Sequence, residues 1–215
     1  MGRGAELGPI GRGGVAGRFG LRHCRNGACG MSGEWIVIRG SGIVAFALLS
    51  ATVIWGLLVS TKLLGRLVKA KPLTWFHESL GIGALLATLV HVFVISIHEF
   101  LEFSWAEILI PGRSDWKTLP IALGVVSLYG MVIVSFSFYF KKWIGQRAWR
   151  AIHYSSLGIF FASLIHGIRA GSDTSHPMMI GLYAGSVVVV MLLLAHRLMP
   201  APVKSTDATG AVVGG

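Results

Sequence analysis

The sequence predicts an all-α integral membrane protein, a bundle of about five transmembrane helices. Three observations carry that expectation. Hydrophobic residues make up 53% of the 215 residues and charged residues only 13%, against roughly a quarter charged in an ordinary soluble domain. Mean hydropathy is +0.69, more apolar surface than a single water-soluble core can cover given surface-to-volume scaling, and far from the apolar-poor composition of disordered chains. The apolar residues also fall into five runs, 35–60, 75–97, 119–140, 151–168 and 178–198, each near the ~20 residues that cross a bilayer core.

Residues 1–30 precede the first run and differ from it. They are rich in glycine and carry Arg3, Arg12, Arg18, Arg22 and Arg25 without an apolar stretch, so they form no signal peptide and read as a disordered low-complexity extension. Met31 is the expected natural start, residues 31–200 the membrane domain, and 201–215 a disordered tail. Cys24 and Cys29 both lie in the extension, too few for a disulfide framework or a four-thiolate site. The connection 98–118 mixes apolar and acidic residues, as an interfacial segment along the membrane surface does, and Pro111-Gly112 ends it. The other connections are short.

A net charge of +10 would suggest a polyanion partner in a soluble protein. Here no nucleic-acid partner is expected, because the charges sort by side. Lys62, Arg66, Lys69 and Lys71 share one connection, Lys141, Lys142, Arg147 and Arg150 another, and Arg197 and Lys204 follow the last run. The opposite side has Arg39, Arg113, Lys117 and Arg169 beside Glu99, Glu102, Glu107, Asp115 and Asp173. The positive-inside rule places the first set and the C-terminus in the cytoplasm and the N-terminus outside. The arginines of residues 1–30 oppose that rule, and a start at Met31 removes the conflict.

Four of the eight histidines fall inside runs two and four: His77 and His91, then His153 and His166. An ionisable group within a span is a functional hypothesis by default. The separations of 14 and 13 residues correspond to about 21 and 20 Å of helix, which fits one histidine toward each face of a ~30 Å core. Both runs travel the same way, so His77 and His153 share the cytoplasmic half and His91 and His166 the outer half. Histidines facing one another across a bundle suit axial ligation of a haem iron, giving two b-type haems stacked across the bilayer. In run two the ligands lie about 40° apart around the helix, with Gly81, Ala84 and Thr88 between them. In run four an ideal helix sets them about 140° apart, so a bend or π-bulge is required, and Ser155-Ser156-Leu157-Gly158 is its expected place. A dinuclear non-haem site is disfavoured, because its ligands cluster at one depth and include carboxylates.

The segments WFHESLGIGALLATLVH and SFSFYFKKWIGQRAWRAIHYSSLGIFFASLIHGIRAGSD resemble the ferric reductase-like transmembrane domain family. That family includes the membrane domains of NADPH oxidases and iron reductases, and the haem subunit of a bacterial methionine sulfoxide reductase system. The resemblance spans residues 35–173, and the histidine pairs are its most specific element. It implies that His77, His91, His153 and His166 are bis-histidine ligands of two haems b, that the 13-residue spacing is workable, and that a bacterial plasma membrane is the location. The oxidases and iron reductases append a flavin- and NADPH-binding module. The few residues after 198 and the lack of a dinucleotide fingerprint imply a separate electron donor, a quinol or a flavin reductase.

The expected function is therefore a dihaem membrane cytochrome passing electrons from a cytoplasmic or quinol donor to an extracytoplasmic acceptor, which could be a redox partner. Two rival readings are a ferric reductase acting at the outer haem and a non-redox structural or assembly subunit. For the anionic propionates, Arg39 and Arg169 are the outer partners expected and Lys71 and Arg150 the inner ones. His98 with Glu99 and Glu102 reads as a solvated helix end, and His176 and His196 have no evident partner. Trp75, Trp116, Trp143 and Trp149 sit where interfacial aromatic belts sit. Gly181 and Gly185 form a weak small-residue packing motif.

Overall fold

The computed structural model describes residues 33–61, 70–97 and 103–199. The extension 1–30, the tail 201–215, the basic residues Lys62, Arg66 and Lys69, and the His98–Glu99–Glu102 group lie outside them. The described chain forms α1 (Gly33–Ser60), α2 (Ala70–Ile97), α3 (Trp105–Leu109), α4 (Thr118–Ser137), α5 (Lys141–Tyr154), α6 (Ser156–Ala170) and α7 (Pro177–Leu198), with no strand among these residues.

Five segments are long and apolar enough to cross a membrane: Trp35–Ser60, Lys71–Ile97, Thr118–Ser137, Lys141–Ala170 and Pro177–Leu198. In hydrocarbon a helix satisfies every backbone group within itself, so apolar runs of this length have no other open structure available. Their outward faces are greasy: Phe93 is 57% exposed, Ile133 56% and Leu192 65%. In water that distribution would cost free energy, and against lipid tails it costs nothing.

Helix α1 is the hub, packing against α2, α6 and α7, while α4 packs against α6, α5 and α2. Phe46 of α1 stacks on Phe160 of α6 at 5.9 Å between centroids and meets Tyr183 of α7 edge-on at 5.0 Å. Glycines set two of the close approaches. A Cβ on Gly130 of α4 would lie 2.7 Å from Ile159, and one on Gly167 of α6 would lie 2.8 Å from the Tyr183 hydroxyl. Helices α2 and α6 do not approach each other extensively, which leaves a gap between the helices that carry His91 and His166.

The fourth crossing starts earlier than its apolar run, at Lys141, because the charged stretch to Arg150 is helical although not apolar. It breaks twice. Gly145 takes φ 79°, ψ 162° inside α5, a conformation open to glycine. Ser155 separates α5 from α6: its N–H reaches both the Ala151 and Ile152 carbonyls, at 3.3 and 3.2 Å, and its hydroxyl donates to Ile152 at 2.6 Å. That is a tightened, 3₁₀-like turn. Overwinding adds about 20° per residue and so carries His166 toward the face of His153, where a π-bulge would turn it the other way.

The 98–118 connection contains α3, closed by a capping box in which Ser104 and Glu107 bond each other's backbone N–H. Gly181 and Gly185 face open space. The small-residue motif is thus turned away from this bundle, because Tyr183, Ser186 and Val190 supply the buried face of α7.

Candidate functional site

The four histidines come together in the two pairs expected from their depths. At one end His91 of α2 and His166 of α6 line a cavity of about 280 Å³ shared with Arg39, Phe46, Thr88 and Asp173. A single water needs only about 10–15 Å³ of such space, so this is a ligand-sized void and not a packing defect. At the other end the His77 and His153 ring centroids are 5.9 Å apart. Their planes are 68° apart, and rings at this spacing could each offer a nitrogen to one metal ion.

Two of the four rings sit in the same kind of seat, a backbone carbonyl and the glycine four residues later on a neighbouring helix, and His77 shares the glycine. His91 Nδ1 lies 3.0 Å from the Ile38 carbonyl, and a Cβ on Gly42 would come within 3.0 Å of its ring. His166 Nδ1 lies 2.8 Å from the Pro120 carbonyl, with Gly124 so close that a Cβ would sit 2.6 Å from that nitrogen. His77 lies over Gly56, where a Cβ would be 3.0 Å from Cε1. The Thr52 backbone interacts with His77, although Nδ1 itself is buried and makes no hydrogen bond. A carbonyl only accepts, so in the two bonded seats the proton resides on Nδ1 and Nε2 keeps its lone pair for a metal. This is the outer support that metal-bound histidines have. His153 differs, since no described glycine meets its ring; Trp149 stacks on it at 5.2 Å with 22° between planes.

Among the described residues no three His, Cys, Asp or Glu side chains form a metal-ion cluster. At the His91/His166 end two imidazoles beside a cavity that is mostly apolar fit a haem, whose macrocycle brings the remaining ligands, and at the His77/His153 end the fit rests on the two neighbouring imidazoles. No family model, characterised protein or solved structure matches this chain.

The cationic residues divide. Arg39 lines the cavity, but its guanidinium grips Asp173 with both arms, Nε to Oδ2 at 2.6 Å and a second contact from Nη2 to Oδ1. Any anion there meets an ion pair and not a lone cation. Arg169 is exposed and borders a separate pocket with Lys117, Thr118 and Pro120, so its side chain is not brought to the cavity. Lys71 and Arg150 are exposed as well. His176 is a helix cap, its Nδ1 accepting from the Met178 N–H at 3.3 Å.

Sequence reasoning missed Gly42, Gly56 and Gly124, which seat the rings, and Asp173, which holds Arg39. A signal for two of the glycines was present. Gly42 and Gly56 are 14 residues apart in α1, the same interval as His77 and His91 in the antiparallel α2. Trp149, expected in an interfacial belt, lies with its ring on His153 and its indole nitrogen buried.

Proposed function

We propose that the chain is a dihaem b-type membrane cytochrome of the ferric reductase-like kind, carrying electrons across the bilayer from a cytoplasmic or quinol donor to an extracytoplasmic acceptor. The observation that supports it most is the sorting of four intramembrane histidines into two cross-helix pairs, with two rings tied back through Nδ1. His77 and His153 would hold one haem, and His91 and His166 the other. Bound haem supplies a one-electron iron couple.

The chain's own residues do the rest. The Ile38 and Pro120 carbonyls fix the tautomer and aim Nε2 of His91 and His166. Phe46, Leu128 and Met131 wall the cavity with apolar surface, which excludes water and keeps the local dielectric low. The bonded pair Arg39–Asp173 lines the cavity at the end that the positive-inside rule puts outside. Lys141, Lys142, Arg147 and Arg150 would then hold the His77/His153 end at the cytoplasmic face.

The test is the visible spectrum of the purified protein. A b-type spectrum with about two haems per chain is expected, and His77→Ala and His91→Ala should each remove one. Absence of haem from the wild type overturns the reading, and two haems retained in both variants overturns the ligand assignment.

A further inference from the structure

Trp149 holds a polar atom that a place in an interfacial belt does not explain. Belt tryptophans keep the indole N–H in the wet headgroup region, as suits Trp143, which is 88% exposed. Trp149 Nε1 is instead buried with no hydrogen-bond partner. Among the described residues only one other buried side-chain polar atom shares that condition, His77 Nδ1. Both belong to one site, because Trp149 stacks on His153 and His153 faces His77. The Thr52 backbone lies beside His77, whereas nothing in the described chain accepts from Trp149. An indole N–H can only donate, and a buried donor left unmade is costly, so Trp149 Nε1 calls for an acceptor from beyond the described residues. A positive charge lies against the same ring: Lys141 Nζ is 4.3 Å from the Trp149 centroid.

We propose that Trp149 and Lys141 form a carboxylate-binding corner of the His77/His153 site. The indole N–H donates to a carboxylate on the edge of the bound macrocycle, and the Lys141 ammonium neutralises it. The proposal rests on the reading of this site as a haem site. It assigns the anion-holding role there to these two residues in place of the exposed Lys71 and Arg150. Trp149 thus braces the ligand His153 through its face and the cofactor through its edge, and a charged donor–acceptor pair of this kind is the strong sort.

The experiment uses the full-length chain, prepared without haem and titrated with haem b or with its dimethyl ester, in which both carboxylates are capped. Binding at the His77/His153 site is followed by Soret absorbance in the His91→Ala background. The titration is repeated with His91 intact, where filling of the His91/His166 site reports correct folding. The unsubstituted corner should prefer haem b over the ester. Trp149→Phe keeps the stacking and loses the N–H. It should weaken haem b binding about tenfold, the scale of a charge-assisted hydrogen bond, and weaken ester binding clearly less, because the ester keeps only a neutral carbonyl acceptor. Lys141→Gln should narrow the same preference. Equal loss for both ligands in Trp149→Phe, or wild-type discrimination retained, overturns the corner while two bound haems uphold the site. A wild-type chain that binds no haem overturns the site and the corner together.

Discussion

Gly124 leaves room for one imidazole and nothing more. Gly124→Ala places a methyl 2.6 Å from His166 Nδ1, so the ring must leave the Pro120 carbonyl. The expected outcome is loss of the haem at that end and destabilisation of about 1–3 kcal/mol, the range for overpacking, read by haem content and thermal melting. Gly42→Ala and Gly56→Ala, with 3.0 Å approaches, should act in the same direction more weakly. Gly185→Ala, facing open space, should change neither readout. Asp173→Asn tests the ion pair. With side chains 31% and 19% exposed, the pair is partly screened, and a loss of about 1 kcal/mol is expected, measured by melting at low and high salt.

At the scale of elements, Ser155 decides whether one crossing can present two ligands to the same neighbour. Inserting three alanines after Leu157 sets His153 and His166 16 residues and about 160° apart on a regular helix and should cost one haem while helicity by circular dichroism persists. Arg197 ties the far ends of three helices, reaching Ser60 at 3.0 Å and the Tyr154 hydroxyl at 2.9 Å. The short helix α3 has a pH dependence of its own. The Ser104 backbone N–H and then its hydroxyl donate to the Glu107 carboxylate and hold its pKa below the ordinary value of 4.5. A depressed carboxylate contributes stability that is present above the unfolded value and lost as pH falls through the folded one. Amides of 104–109 should therefore lose hydrogen-exchange protection, after correction for intrinsic rates, as pH drops below about 4.5. Glu107→Gln should show lower protection at neutral pH and no such transition.

For the whole molecule, charge orients and lipid solvates. Lys141, Lys142, Arg147 and Arg150 lie at one end, and Arg39, Asp173 and the capped α3 at the other. In a chain with Cys24→Ser and Cys29→Ser, Gln146→Cys and Ser172→Cys should each react with a membrane-impermeant maleimide from opposite sides of sealed vesicles, the first from the cytoplasmic side. Labelling of both from one side would mean that the spans are miscounted. The exposed apolar girdle at Phe93, Ile133 and Leu192 implies aggregation once detergent or lipid is removed, which light scattering would register.

The five spans and the depths of the four histidines were legible in the sequence, because bilayer thickness imposes length and apolarity on each helix independently of its neighbours. The bend in the fourth crossing was legible too, since 13 residues cannot put two ligands on one face of a regular helix. What a side chain meets across a helix interface was not. Whether Gly42, Gly56 and Gly124 seat imidazoles while Gly181 and Gly185 face outward depends on the rotation of each helix about its axis, and apolar residues on every side leave that rotation unmarked. Asp173 answers Arg39 from 134 residues away, and Trp149 turns inward while Trp143 turns out, although both had the same local signature of an aromatic among cations. Helices are local, so their existence is written in contiguous residues; the seats for the rings are shared between helices, and packing alone brought their halves together.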